Sequence, residues 1–223
     1  MKLARQGRRE ILLGSLLLLA ACAVSIVLFW PLAVVPLALW LWVLWFFRDP
    51  DRPAPQMSAG LVSPADGHIS DITPIGPESE LGRPGVRIGI FMSVFDVHVN
   101  RSPAPARVES VVHRKGAFLD ARDPQASERN ESATIRLTCN RAGVDYPLVV
   151  RQVAGLLARR IVTELAPGQS LLRGQRIGMI KFGSRVEVLA PPELAGKIFV
   201  ELGQKVLAGQ TVLAAGMSEP GSD

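Results

Sequence analysis

The sequence predicts a mostly-β, barrel-like body that carries an N-terminal transmembrane or re-entrant helical hairpin. Three observations predict it. An uncharged run from Ile11 to Phe47 is broken near its middle by Trp30-Pro31. From Leu61 onward, short alternating stretches rich in Val and Ile are separated by Gly, Pro and Asp turn signals, the pattern of a β body. Two stretches, Pro167–Ile177 and Glu201–Val212, share one cadence of strand, Gly-marked turn and strand. That cadence resembles the hairpins of lipoyl- and biotinyl-type barrel domains.

The N-terminal segment comes first. Lys2, Arg5, Arg8 and Arg9 precede the apolar run, and Arg48 and Arg52 follow it. Each half, Ile11–Phe29 and Leu32–Phe47, is about the length of one marginal span, for which ~20 residues is typical. Basic residues at both ends place both ends on the cytoplasmic side. Trp40, Trp42, Trp45, Phe46 and Phe47 thicken toward the second exit, as an interfacial belt would. A cleaved signal peptide would start similarly, and Leu19-Ala20-Ala21-Cys22 resembles a lipoprotein processing site. The chain nevertheless stays apolar well past Cys22, which favours an anchor. Residues 1–53 are read as anchor and exit linker, and 54–223 as the soluble body, because Arg48–Pro55 is charged and too rich in proline to continue a helix.

Charge and composition narrow the function. The formal charge of +5 favours anionic partners. Nucleic acid is not expected among them: six of the thirteen aromatic residues are Trp30, Trp40, Trp42, Trp45, Phe46 and Phe47, so few remain to interleave with basic residues elsewhere. Cys22 lies in an apolar run and Cys139 in a polar strand, so a reduced protein is expected rather than a disulfide framework. His68, His98 and His113 are scattered, and no metal-ligand spacing is present.

Within the body, Leu61–Ile69 reads as strand, Pro-Ala-Asp-Gly turn and strand. Asp66 there is either the turn's own cap or a placed carboxylate. His98 is flanked by Val97 and Val99, with Asp96, Asn100 and Arg101 close by. It is either a satisfied strand histidine or part of a site, and that polar company is unusual for a core strand. Further strands are expected at Arg107–His113, Thr134–Cys139 and Tyr146–Val153, and Gly155–Val162 reads as helix or strand. Arg159 and Arg160 are either solvated or anchors for an anionic group.

The stretch Met179–Val188 is the one the rest is organised around. Gly183-Ser184 interrupts what otherwise reads as one long strand. Glycine inside a strand often marks a bulge or a close backbone approach. A serine directly after it has its hydroxyl beside the Gly183 carbonyl carbon. Either this is a plain sheet-edge bulge, or Oγ attacks the preceding peptide bond.

Five separated stretches bear on that choice: Phe46–Pro50, Ser63-Pro64-Ala65-Asp66-Gly67, Phe91–Pro103, Arg151–Val162 and Phe182-Gly183-Ser184-Arg185-Val186. Together, in order over nearly the whole chain, they resemble the phosphatidylserine decarboxylases, in their short, membrane-anchored bacterial and archaeal branch. The resemblance implies a pyruvoyl enzyme that makes its own cofactor by self-cleavage at Gly183-Ser184. Ser184 would become the pyruvoyl group, and His98, oriented by Asp66, would serve as base. The serine headgroup's amine would condense with the pyruvoyl carbonyl as a Schiff base, lose carbon dioxide and be reprotonated, with His98 the candidate acid. The implied partners are the phosphatidylserine substrate, the membrane, and the chain's own two pieces, 1–183 and 184–223, held as a heterodimer. The implied location is the cytoplasmic face of the inner membrane. Where the longer-chain branch carries His-x-x-His, this chain has His98 and Arg101. Two competing readings remain: a tethered scaffold that never cleaves, and the same chemistry on another amino-acid-headed phospholipid.

Overall fold

The computed structural model describes residues 2–56, 60–123, 125–156, 160–181 and 183–216. The chain forms two compact units, Met1–Asp51 and Arg52–Asp223.

The first unit is a helical hairpin. Helix α1 (Arg8–Phe29) and helix α2 (Val34–Phe46) are joined by a 3-10 turn at Trp30–Ala33. Pro31 sits at the start of that turn, where its missing N–H costs nothing, and the extended backbone of Phe29 (φ −164°) breaks the helical path. The two arms meet. Trp40 Nε1 donates to Ser15 Oγ across them at 2.9 Å, and Leu3 bridges Arg48 at the open end. Gly7 lies against the Phe47 ring, where a Cβ would come within 2.2 Å of it. Leu12, Leu17, Val27 and Leu28 are all at least 70% exposed. A helix apolar all round needs an apolar medium, and Arg5–Phe46 is long and apolar enough to cross a membrane.

The second unit is built almost wholly of antiparallel strands. They run β1 (Leu61–Val62), β2 (Gly67–Ile75), β3 (Gly85–Met92), β4 (Val99–Arg101), β5 (Ala106–Arg114), β6 (Ser132–Arg141) and β7 (Val144–Ala154). Then come β8 (Arg160–Thr163), β9 (Ser170–Leu171), β10 (Arg176–Lys181), β11 (Ser184–Ala190), β12 (Lys197–Ile198), β13 (Lys205–Val206) and β14 (Val212–Ala215). Two single-turn helices, α3 (Ala126–Arg129) and α4 (Pro192–Ala195), are inserted. Eight strands form one sheet in the order β13-β2-β3-β11-β7-β6-β5-β9, and two three-stranded sheets have the orders β4-β10-β8 and β1-β14-β12. The mostly-β expectation is therefore met. The segment that reads as helix or strand ends in β8, which Arg160 opens, while Arg159 lies outside the described residues.

Local chemistry explains the joints. Strands β6 and β7 close through Ala142-Gly143, both at positive φ (51° and 82°), the geometry of a two-residue hairpin turn. Period-2 alternation then sorts the sheet into two faces. Ile88, Ile90 and Met92 of β3 and Val186 and Val188 of β11 face the core with Ile135, Leu137 and Val150. On the opposite face Arg185 binds Asp71 and, through Nε, Glu187 Oε1 at 2.8 Å. Arg151 pairs there with Glu80 and with Glu187. Glu187 is fully buried and tied to two arginines, as a buried carboxylate must be. Burial also pushes the Cys139 thiol up to about 12, against a small opposing pull from Arg173, so Cys139 is an inert thiol.

Candidate active site

Strand β10 belongs to one sheet and β11 to another, and the chain enters β11 through Gly183. The stretch that reads as one interrupted strand is thus two strands of two sheets. Such a crossing needs a sharp local bend, and Gly183 supplies it at φ +47°, a region L side chains rarely adopt. Ser184 then opens β11, where it pairs with Met92 of β3 on one side and Ala154 of β7 on the other. Its side chain falls on the core face and is fully buried. Ser184 Oγ donates to the Met92 sulfur at 3.5 Å. A thioether is a weak acceptor, so the hydroxyl is held only lightly.

Around that sulfur a buried chain of polar groups is assembled. Thr163 Oγ1 donates to Gln152 Oε1 at 2.7 Å, and Gln152 Nε2 donates to Asn100 Oδ1 at 2.7 Å. Asn100 Nδ2 in turn donates to Met92 Sδ at 3.7 Å. Gln152 and Asn100 are fully buried, and each member fixes the orientation of the next. The chain links β8, β7, β4 and β3 at one point beside Ser184. Met92, Gln152 and Thr163 escape a reading of the sequence by motif. Their one signal is the polar pair Arg151-Gln152 between the apolar Leu148-Val149-Val150 and Val153-Ala154.

His98 is also fully buried, one residue before β4. Its main-chain carbonyl accepts the Ile180 N–H at 3.3 Å, so it lies across from the end of β10, three residues before Gly183. Nδ1 lies 2.9 Å from the Asp96 carbonyl. A carbonyl can only accept, so Nδ1 carries the proton and Nε2 carries the lone pair in the neutral ring. The Asp96 carboxylate holds the preceding turn by accepting from Ser93 N at 2.8 Å and Ser93 Oγ at 2.9 Å. Ser184 itself points to Met92, not to His98.

The Asp66 carboxylate takes a two-pronged bond from Arg52, with Nη2 to Oδ2 at 2.8 Å, and accepts the Ala208 N–H at 2.8 Å. The turn it closes supports β4 through the main chain, since the Pro64 carbonyl accepts the Arg101 N–H at 2.8 Å. The link from this turn to β4 thus runs through the main chain. Arg101 is buried and its Nη1 donates to the Gly174 carbonyl at 3.0 Å, a bracing contact for β4. Among the described residues no group of His, Cys, Asp and Glu could hold a metal ion.

Known proteins share this arrangement of sequence. The phosphatidylserine decarboxylase family model matches residues 39–214. A phosphatidylserine decarboxylase proenzyme of Nitrobacter winogradskyi is 45% identical over 196 residues, covering 85% of this chain and 77% of that protein. One of Oleidesulfovibrio alaskensis is 43% identical over 202 residues, covering 91% of this chain and 90% of its own length. The match takes in the hinge, His98 and the whole strand body, and defines the chain as a carboxy-lyase. It belongs to the phosphatidylserine decarboxylase family.

Proposed function

We propose that the chain cuts itself at Gly183-Ser184, converts Ser184 to a pyruvoyl group, and then decarboxylates phosphatidylserine to phosphatidylethanolamine. The observation that carries this is the hinge. A glycine at φ +47° stands where the chain leaves one sheet for another, and the next residue is a fully buried, lightly held serine. The proenzyme names of both relatives agree with it.

The chemistry follows from the residues. His98 Nε2 takes the Ser184 Oγ proton as Oγ bonds to the Gly183 carbonyl carbon. The C–N bond to Ser184 breaks, nitrogen takes up a proton, and an ester links the two pieces. Loss of the Ser184 Cα proton then expels the Gly183 carboxylate from Cβ. The remaining enamine tautomerises, and water releases ammonia to leave the ketone. The site fits such a group, since Ser184 is enclosed and the polar chain at Met92 fixes its surroundings. The pyruvoyl carbonyl supplies the electron sink that decarboxylation of an amino acid headgroup needs. Asp66 and Arg52 hold the turn beneath β4 and so keep His98 in place.

Cutting would leave pieces 1–183 and 184–223, and they would stay together. Strand β11 lies between β3 and β7 inside the eight-stranded sheet, β13 pairs with β2, and β14 pairs with β1. Arg185, next to the new end, is clamped to Asp71 and Glu187. A heterodimer resistant to separation without denaturant is the expected product.

The lipid substrate accounts for two further features. The apolar hairpin suits the cytoplasmic face of the cell membrane, as an anchor near a substrate that leaves a bilayer at a cost of ~0.8 kcal/mol per methylene. The loops after β3 and β7, whose last residues both pair with Ser184, expose Phe95 (62%) and Leu156 (64%). These side chains sit where a lipid must approach. Changing both to serine is expected to lower turnover on phosphatidylserine vesicles about 10-fold, because less apolar surface is then buried against the bilayer. Turnover of a dispersed short-chain substrate should be unchanged.

Asp66→Asn and Arg52→Gln each break a buried ion pair, at roughly 3–5 kcal/mol, and both should slow self-cleavage. A direct Asp66–His98 role would instead spare Arg52→Gln. The deciding test of the whole reading is the intact mass of denatured protein. Two pieces, with a downstream piece beginning in pyruvoyl instead of serine, support it. A single full-length species favours the scaffold, and turnover on other amino-acid-headed lipids would shift the substrate.

A further inference from the structure

We propose that Gly155 is a positioning residue for self-cleavage: its missing side chain is the space in which the Gly183 carbonyl is seated. The inference rests on the reading that Gly183-Ser184 is the bond cut.

Ala154, the last residue of β7, pairs with Ser184, so the next residue on that side, Gly155, lies alongside Gly183. A Cβ on Gly155 would stand 2.2 Å from the Gly183 carbonyl oxygen and 3.1 Å from its carbon. The obstructing atoms are main chain, which cannot swing aside as a long side chain could. On the other side, the Ala121 Cβ is 3.1 Å from the same point, and Ala121 is itself buried. A methyl group there would be wedged between Ala121 and the bond to be cut.

The two glycines meet different needs. Gly183 has a positive φ, and a Cβ on it would have nothing within 4 Å. There the demand is backbone conformation. Gly155 is not among the glycines with positive φ, so any residue could adopt its backbone, and the demand is room. One glycine makes the bend and the other seats the carbonyl.

Seating bears on the rate because the attacked atom is the carbon of that carbonyl. Ser184 Oγ must form its bond to Gly183 C along a narrow approach while the C–N bond breaks and the proton passes to nitrogen. Relieving a 2.2 Å contact moves the carbonyl by the better part of an ångström, and a displacement of about 1 Å can cost on the order of 100-fold.

The same strand supplies a matched control. At the far end of β11, a Cβ on Gly85 would meet the Ala190 carbonyl oxygen at 2.4 Å and its carbon at 3.1 Å, a near-identical clash remote from the hinge. Wild type, Gly155→Ala and Gly85→Ala are compared in full-length protein for melting temperature and for the rate of appearance of the two pieces. Both variants should melt lower, but only Gly155→Ala should cut about 100-fold more slowly. Hydroxylamine, which opens the ester, should release no fragment from uncut Gly155→Ala, because its block precedes ester formation. Adding Ala121→Gly gives the methyl group somewhere to go and should restore much of the rate, and this double variant serves if the single one does not fold. Cutting of folded Gly155→Ala within a few-fold of wild type overturns the assignment, as does equal slowing in Gly85→Ala or a folded double variant that stays uncut. Uncut wild type would instead overturn the self-cleavage reading itself.

Discussion

Ser184→Ala is expected to give a single full-length chain that never divides and has no decarboxylase activity, yet folds and melts close to wild type. The contrast arises from where the hydroxyl points. Ser184 Oγ is fully buried and donates to a thioether at 3.5 Å. Removing it leaves only a weak acceptor unfilled, and the stability change should be about 1 kcal/mol or less. The strand is untouched, since the pairing of β11 with β3 and β7 uses main-chain groups alone. On the proposed self-cleavage reading the loss for the chemistry is total, because that oxygen is the nucleophile and, once in the ester, the atom that leaves Cβ with the Gly183 carboxylate. Denaturing electrophoresis with intact mass reads the cut, and a thermal melt reads the fold. Appearance of the two pieces in Ser184→Ala would place the cut on another nucleophile.

The hinge was visible in the sequence because its signal is local. Gly183-Ser184 breaks an apolar alternation, and both the bend and the adjacent hydroxyl belong to neighbouring residues. The helical hairpin was visible for the same reason, from an uncharged run interrupted by Trp30-Pro31. What surrounds the hydroxyl was not visible. Met92, Asn100, Gln152 and Thr163 come from four strands, and only the pairing register brings them together. A shift of one residue would have sent every one of these side chains to the other face. The partner of Asp66 was equally hidden. The carboxylate is bound by Arg52, which the sequence places in a proline-rich linker. The crowding at Gly155 depends wholly on which backbone lies next to it.

The second large effect is at His98, where substitution should block the cut while leaving the nucleophile intact. The ring is fully buried, so His98→Ala would leave a cavity and confuse lost folding with lost chemistry. His98→Asn is the cleaner variant. Its amide nitrogen can occupy the place of Nδ1 and keep the bond to the Asp96 carbonyl, made at 2.9 Å by histidine, while nothing replaces Nε2. Loss of a general base typically costs about 10²–10⁴-fold, so cutting complete in wild type should take on the order of hundreds of times longer. The rate of appearance of the downstream piece, followed by mass in both proteins, makes the test. If His98→Asn cuts at the wild-type rate, the proton of Ser184 leaves by another route, and His98 serves only to brace β4 against β10.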